Sequence, residues 1–399
     1  MIASQTMTAP DHHRVESAAA PARMSAARIV RTRQDIDALA ERWQALEKYS
    51  VGATPFQSFA WADAIFDFEA TRGNKQFDPV IAILEQGDRL IAILPLERIS
   101  TRARRILEPL GNGFTQYADM LLAPGTQPRA ALQKLLQAAT KAAPCDAISL
   151  LKVREGSPLA LAMPSNAIKT GSEAGAPNVA LNEFPDYAAY FATVRTKTRK
   201  NMRNARNRLE RDGPVDHQIV TDRQAQLDLI ERTLSGRAER LREQGLTSRA
   251  FSDGGFPAFC KSLAGRDNIG LKTFSLTHNG RPIAEQWGFV HGGRYYAYVA
   301  ARDFSQTDES PGKLHLSEII RTCADEGLIG CDLGVPAMPY KLTFATHTIP
   351  VRDFALPVTP KGWAITQFWD VMLRPTLKAI MLKTPSNLRS RIMALLGRA

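Results

Sequence analysis

The sequence predicts a mixed α/β (α+β) fold, laid out as two units with mostly antiparallel sheets flanked by helices. Turn signals at Gln86-Gly87-Asp88, Asn279-Gly280 and Gly292-Gly293 join runs rich in β-branched and aromatic residues, as hairpins do. Stretches with apolar residues at helical spacing alternate with those runs. A length of 399 residues, 44% of them apolar, is more than one ordinary core holds, so two domains are expected.

Residues 1–27, rich in Ala, Ser and Pro, read as a disordered leader, without the continuous apolar stretch of a signal peptide. The first unit is expected over 28–180. "DIDALAERWQALEKYS" sets Ile36, Leu39, Trp43 and Leu46 at helical spacing, and "FQSFAWADAIFDFEA" reads as a second helix. "DPVIAILEQGDRLIAILPLERIS" reads as a strand hairpin. "RRILEPLGNGFTQYADMLLAPG" reads as a further strand pair about its Gly-Asn-Gly turn. An amphipathic helix, "PRAALQKLLQAATKA", and a short buried strand, "DAISLLKV", follow. Residues 154–177, rich in Ser, Pro, Gly and Ala, read as an irregular connection.

The second unit is expected over 181–358. It enters through "TKTRKNMRNARNRLERDG", a helix whose apolar stripe is only Met202, Ala205 and Leu209, ended by Gly213-Pro214. "QAQLDLIERTLSGRAERLREQG" and "GGFPAFCKSLAGRD" are further helical patterns. Next comes an antiparallel meander, "GLKTFSLTH", "RPIAEQWGFVH" and "RYYAYVAA". A polar loop, "RDFSQTDESPG", leads into the helix "KLHLSEIIRTCADEG" and the strand "IGCDLG". Residues 359–399 form a basic, amphipathic tail.

The net charge is +11, and it is concentrated. Lys197 to Arg211 holds seven basic residues and one acid, and Arg374 to Arg398 holds six basic residues and none. The rest of the chain is close to neutral, whereas a nucleic-acid binder spreads basic residues over a domain face. Nucleic acid is therefore not the expected partner. Cys145, Cys260, Cys323 and Cys331 have no CxxC or Cys/His spacing, so reduced buried thiols, a cytoplasmic setting and no metal are expected. G-x-S-x-G, H-E-x-x-H and Walker motifs are missing, which leaves hydrolase, zinc protease and P-loop readings without support.

The order meander, loop, helix, strand resembles the core of the GNAT acyltransferase fold. The wider sequence resembles the CelD/BcsL branch of cellulose and exopolysaccharide synthesis, whose second half is also called a BioF2-like acetyltransferase domain. The segments that carry the likeness run from Phe56 to Phe354: "FQSFAWADA", "RLIAILPLE", "TRKNMRNARNRLERDG", "PIAEQWGF", "YYAYVAARD…SPGKLHL", "CDLG" and "YKLTF". Fem-type aminoacyl and peptidyl transferases share the two-unit layout and a basic stretch like "RKNMRNAR". The resemblance implies tandem GNAT-like units and acetyl-CoA as donor substrate. It implies a sugar or polysaccharide-related acceptor. The alternatives are a Fem-like transferase using aminoacyl-tRNA, or a non-catalytic accessory of a membrane-bound polysaccharide synthase. Where the ordinary GNAT phosphate loop reads Q/R-x-x-G-x-G/A, this chain has "DESPGKLH", with one glycine for two.

Ser310, Gly312, Lys313 and Leu314 open a helix, whose free N–H groups and dipole suit a diphosphate; a plain helix start with Pro311 in its first turn fits too. Glu285 is the candidate general base on a central strand among aromatic neighbours, or a carboxylate paired with Arg281 or Arg302. Trp287 shares its face and is a candidate for substrate contact. Asp303 follows the third strand and either orients the acceptor or caps local N–H groups. Tyr298 is a candidate proton donor to the leaving thiolate, or a packed ring. Asp332, Tyr340 and Lys341 are candidate substrate contacts, Asp332 and Lys341 also being a candidate structural pair. Arg199 and Arg203 would line the cleft mouth and hold a phosphate-bearing ligand. The tail, with Trp363, Phe368 and Trp369 among basic residues, suits either an anionic membrane surface, which would make the protein peripheral at the inner membrane, or packing on protein.

Overall fold

A computed structural model describes residues 26–243, 254–302 and 311–373, and beyond them residues 376, 377, 380 and 384. Its first-half strands are β1 (Arg28–Val30), β2 (Pro79–Gln86), β3 (Arg89–Ser100), β4 (Arg105–Pro109), β5 (Leu121–Leu122), β6 (Ala147–Arg154) and β7 (Ile168–Ala180). The second half adds β8 (Val215–Ile219), β9 (Leu271–His278), β10 (Arg281–His291), β11 (Arg294–Arg302), β12 (Gly330–Asp332) and β13 (His347–Pro357). All belong to one sheet, ordered β1-β2-β3-β4-β6-β13-β7-β12-β11-β10-β9-β8, with β5 paired to β3.

The tight turns follow their residues. Asn279 and Gly280 both take positive φ, 52° and 72°, as a two-residue turn between twisted strands requires. The sheet is antiparallel except at β4–β6 and β11–β12. Each of those parallel joins brackets a long helix, Pro128–Ala142 in the first half and Pro311–Asp325 in the second. A parallel pair needs such a crossover to return the chain. The two halves thus repeat a strand–helix–strand plan that no sequence identity reveals.

Two expectations are corrected. Residues 154–177 are not an irregular connection throughout, because β7 begins at Ile168 and pairs with β13 along most of its length. β13 lies between β6 and β7, so the last strand of the second half completes the sheet of the first. The "RRILEPL…MLLAPG" segment does not form a hairpin; β4 and β5 both pair with β3.

The main core also crosses between halves. Phe56 and Trp61 of the first half pack edge-on against Phe289, and Tyr298 meets Trp61 and Phe289 edge-on and Phe56 at a tilt. Trp43, Trp61 and Trp287 are buried. The basic helix Thr196–Asp212 docks through Met202, Ala205 and Leu209, as its stripe predicts, and Arg206 bonds both Glu210 in the same helix and Glu318 of the Pro311–Asp325 helix. The four cysteines are free and buried. Among the described residues no helix is long and apolar enough to cross a membrane, and no group of three or more His, Cys, Asp or Glu is placed to hold a metal ion.

Candidate active site

β11 outruns its neighbour. β12 pairs with Arg294, Tyr295 and Tyr296 only, so from Ala297 onward the β12-facing edge of β11 has no strand partner among the described residues. The chain after Asp332 turns away at Gly334, whose φ is 71°. A Cβ there would meet the Gln116 amide at 2.5 Å and the Ala297 carbonyl at 3.1 Å, so glycine permits this close passage. On its other edge β11 bulges at Tyr298, opposite Trp287 and Gly288. A Cβ on Gly288 would lie 2.0 Å from the Tyr296 carbonyl oxygen, so the bulge too depends on glycine.

A cavity of about 350 Å³ opens at this end of the sheet, within the range of small-molecule sites. Ala284, Glu285 and Gln286 of β10 and Ala300 and Ala301 of β11 form its floor. The helix Arg223–Glu243 brings Gly236, Arg237 and Arg240 from one face of the sheet. The helix Pro311–Asp325 brings Gly312, Lys313 and His315 from the other, and Met338 and Tyr340 close the side. The faces are set by alternation along β10. Glu285 and Trp287 point to the Arg223–Glu243 helix, where they meet Arg232 and Thr233. Ala284 points the other way, into an apolar cluster with Leu314.

Glu285 is buried and held by two hydrogen bonds from Arg232, Nη2 to Oε1 at 2.6 Å and Nε to Oε2 at 3.1 Å. Its partner is therefore an arginine from the facing helix rather than Arg281, and the Arg302 side chain lies outside the described residues. Gly312 and Lys313 sit where the first turn of their helix meets the cavity. The first N–H groups of a helix have no partner within it, so this end favours an anion. Leu314 turns its side chain into the core and offers only backbone. Tyr340 lines the cavity. Ser310 and Asp303 lie outside the described residues.

Other residues stand apart from the cavity lining. Trp287 is fully buried and donates its indole N–H to Thr233 Oγ1 at 2.9 Å. Tyr298 donates its hydroxyl hydrogen bond to the Phe114 carbonyl, inside the aromatic core. Asp332 lies in the seam between halves: Oδ1 accepts from the Tyr117 hydroxyl at 2.9 Å and the Gly334 N–H at 2.8 Å, and Arg154 Nη2 stands 3.4 Å from Oδ2. Lys341 does not pair with it by hydrogen bond; Nζ donates to the Gly334 carbonyl at 2.8 Å. Burial lowers the Lys341 pKa to about 8, against the attraction of Asp332. Arg199 caps the start of its own helix through the Val194 carbonyl at 2.9 Å, and Arg203 is exposed. Neither lines the cavity.

Sequence reasoning missed Arg232, Arg237 and Arg240. A signal was present: Gly236 is a helix-interior glycine, which costs about 1 kcal/mol against Ala and so marks a close approach, here to Ala301. His315 is buried against His217, their ring centroids 5.4 Å apart. Burial, and then His217, hold its pKa well below the usual value, so the ring is neutral.

Residues 196–342 match the family described as an acetyltransferase (GNAT) domain, and every cavity-lining residue falls within them. A comparison with curated proteins found no match. Among solved structures the chain is similar to a conserved protein of unknown function from Bacteroides thetaiotaomicron, at 17% identity over 82% of this chain and 99% of that one, with a TM-score of 0.52. It is also similar to FemX, at 11% identity over 83% of this chain and 98% of that one, with a TM-score of 0.58. Likenesses at such identities concern the fold.

Proposed function

We propose that this chain, whose residues 196–342 match a GNAT acetyltransferase domain, moves an acetyl group from acetyl-CoA to a sugar or polysaccharide-related acceptor. The observation that carries the reading is the convergence, in one cavity, of the β11 edge that runs on past β12, the opening turn of the Pro311–Asp325 helix and a buried carboxylate. The β11 edge beyond β12 supplies N–H groups to polarise the thioester carbonyl. Lys313 and the helix end attract the donor's diphosphate. Glu285 takes the proton of the attacking amine or hydroxyl, the new bond to the acetyl carbon forms, and the C–S bond breaks to release the thiolate. Tyr298 is committed to Phe114 and lies off the cavity lining, whereas the Tyr340 phenol lines the cavity, and we assign to it the return of a proton to sulfur.

Calorimetry of the full chain with acetyl-CoA tests this reading. Saturable binding that Lys313→Gln weakens supports it, and no binding at millimolar ligand ends it. The Fem-like alternative places tRNA on the basic helix, where Arg203 is exposed, and predicts binding that collapses with salt.

The end of the chain supports a location beside a membrane-bound synthase. Trp363, Phe368 and Met372 are 58%, 70% and 61% exposed, and the basic run from Arg374 follows them. Exposed aromatics next to cations suit the surface of an anionic bilayer.

A further inference from the structure

A second cleft, of about 240 Å³, lies on the first half of the sheet. Its floor is one face of β4 and β6. By alternation Leu107, Ile148 and Leu150 turn into the core, while Ile106, Glu108, Ala147 and Ser149 turn to the cleft. Its roof is the helix Pro360–Ile365 and the π-helical segment Thr366–Leu373, which bring Gly362, Ile365, Thr366, Trp369 and Asp370 over the strands. The roof is pinned close at its start. The Asp146 carbonyl accepts the N–H groups of Val358 at 2.9 Å and Thr359 at 3.1 Å, and a Cβ on Gly362 would lie 1.8 Å from that oxygen. At the far end the hold is looser, with Arg104 Nη1 standing 3.8 Å from Asp370 Oδ2. Between these points the floor carries the small side chains of Ala147, Ser149 and Ala355, and the cleft opens over them. In the strand order β6 is four spacings from β11, about 19 Å, so this cleft is separate from the cavity at Glu285.

A helix ordinarily covers a sheet with apolar side chains. Here the covered face carries Glu108 and Asp146, both buried, and Asn112, Ser149 and Thr366 add an amide and two hydroxyls. The carboxylates have partners in the protein; Asp146 Oδ2 accepts from the Arg105 N–H at 2.8 Å. A carboxylate offers about four acceptor positions, so such bonds leave room for hydroxyl donors from a ligand. Trp369 stands at the mouth, lining the cleft while 44% exposed.

We propose that this cleft binds a saccharide. Ring hydroxyls, each both donor and acceptor, meet the carboxylates, the amide and the hydroxyls of the lining, and a C–H face of the ring packs on the Trp369 indole. Other ligand classes match the lining less well. Its carboxylates repel a phosphate, and its polar floor is costly to cover with a lipid chain. Among the described residues no three acids are placed to share a metal ion. The proposal does not rest on the acetyl-CoA reading; beside that reading, the cleft would hold a distant unit of a polymeric acceptor.

The test titrates the full chain, with no donor present, with cellotetraose in one arm, maltotetraose in a second and spermidine in a third. The expected result is saturable binding of at least one tetrasaccharide, followed by calorimetry and by a change in indole fluorescence. Trp369→Ala weakens it by about tenfold or more, Trp369→Phe keeps part of it, and Ser149→Ala weakens it by about threefold. Should Trp369→Ala not fold, Trp369→Phe and Ser149→Ala carry the same decision. Neither tetrasaccharide binding at about 10 mM would overturn the proposal. So would saccharide binding unchanged in the Trp369 and Ser149 variants. Spermidine binding without either saccharide would make the cleft a cation site and overturn it too. Absence of CoA binding, measured separately, ends the acetyl-CoA reading and leaves the saccharide result standing.

Discussion

Arg232 reaches across from its helix to clasp Glu285 on the neighbouring strand, both carboxylate oxygens engaged. The carboxylate side chain is 7% exposed and the guanidinium side chain 50%. That asymmetry separates two roles. Arg232→Ala strands a buried carboxylate and costs about 1–3 kcal/mol, at the low end because water already reaches the arginine. Glu285→Gln keeps the shape and frees only an exposed cation, so stability changes little. If Glu285 receives the acceptor's proton, that variant lowers kcat by about 10²–10⁴ with donor affinity unchanged. Urea midpoints and the rate of CoA release measure the two effects. Wild-type kcat in Glu285→Gln would leave the carboxylate as an anchor for Arg232 alone.

A second carboxylate works between the halves. Asp332 ends β12 at 1% exposure and is held by Tyr117 and Arg154 of the first half. Removing the arginine leaves its charge uncompensated, so Arg154→Ala is expected to cost about 3–5 kcal/mol. Tyr117→Phe removes one hydrogen bond to a charged group, about 1.5–3 kcal/mol. Because the bond spans the seam and the sheet and core are continuous across it, both halves should lose stability in one transition. Denaturation followed by tryptophan fluorescence, with Trp61 in one half and Trp287 in the other, checks this; two separate transitions would contradict it.

The features legible in the sequence are those set by near neighbours. The Asn279-Gly280 turn needs only two residues able to take positive φ. The Met202, Ala205 and Leu209 stripe needs only helical spacing. What escaped was set by distant partners. β7 carries Gly171, Gly175 and Pro177 and reads as a loop, and it is made a strand by β13 more than a hundred residues later. Glu285 finds its arginine 53 residues away, and Asp332 its tyrosine 215 away. No local pattern encodes such pairs, so the sequence could nominate Glu285 and Lys313 for the site but not the arginine wall opposite.

Lys341 makes a pH prediction with a definite sign. Burial, followed by Arg237 and opposed by Asp332, brings its pKa from 10.5 down to about 8 in the folded chain. Between those values the unfolded chain binds more protons than the folded one, so this group makes stability rise with pH across that window. Below pH 8 both states carry the proton, and its contribution is constant. Lys341→Met should remove the rise. Urea midpoints compared between wild type and variant at pH 7, 8, 9 and 10 give the test: the wild type gains on the variant only in the upper half of the series. Parallel profiles throughout would place Lys341 in water.

The exposed aromatic end yields the last prediction. Phe368 and Met372 lie in the π-helical segment Thr366–Leu373, while Asp370 beside them is turned inward toward Arg104. Acid is thereby withdrawn from the segment that the basic run extends. The full chain should float with vesicles containing phosphatidylglycerol and stay behind with neutral phosphatidylcholine vesicles. Trp363→Ala with Phe368→Ala should weaken flotation even at low salt, because apolar burial supplies part of the binding. Replacing the six basic residues between Arg374 and Arg398 by Gln should abolish the preference for anionic lipid. Equal distribution of the wild type between floating and soluble fractions for both lipid compositions would mean that these side chains serve a protein contact instead.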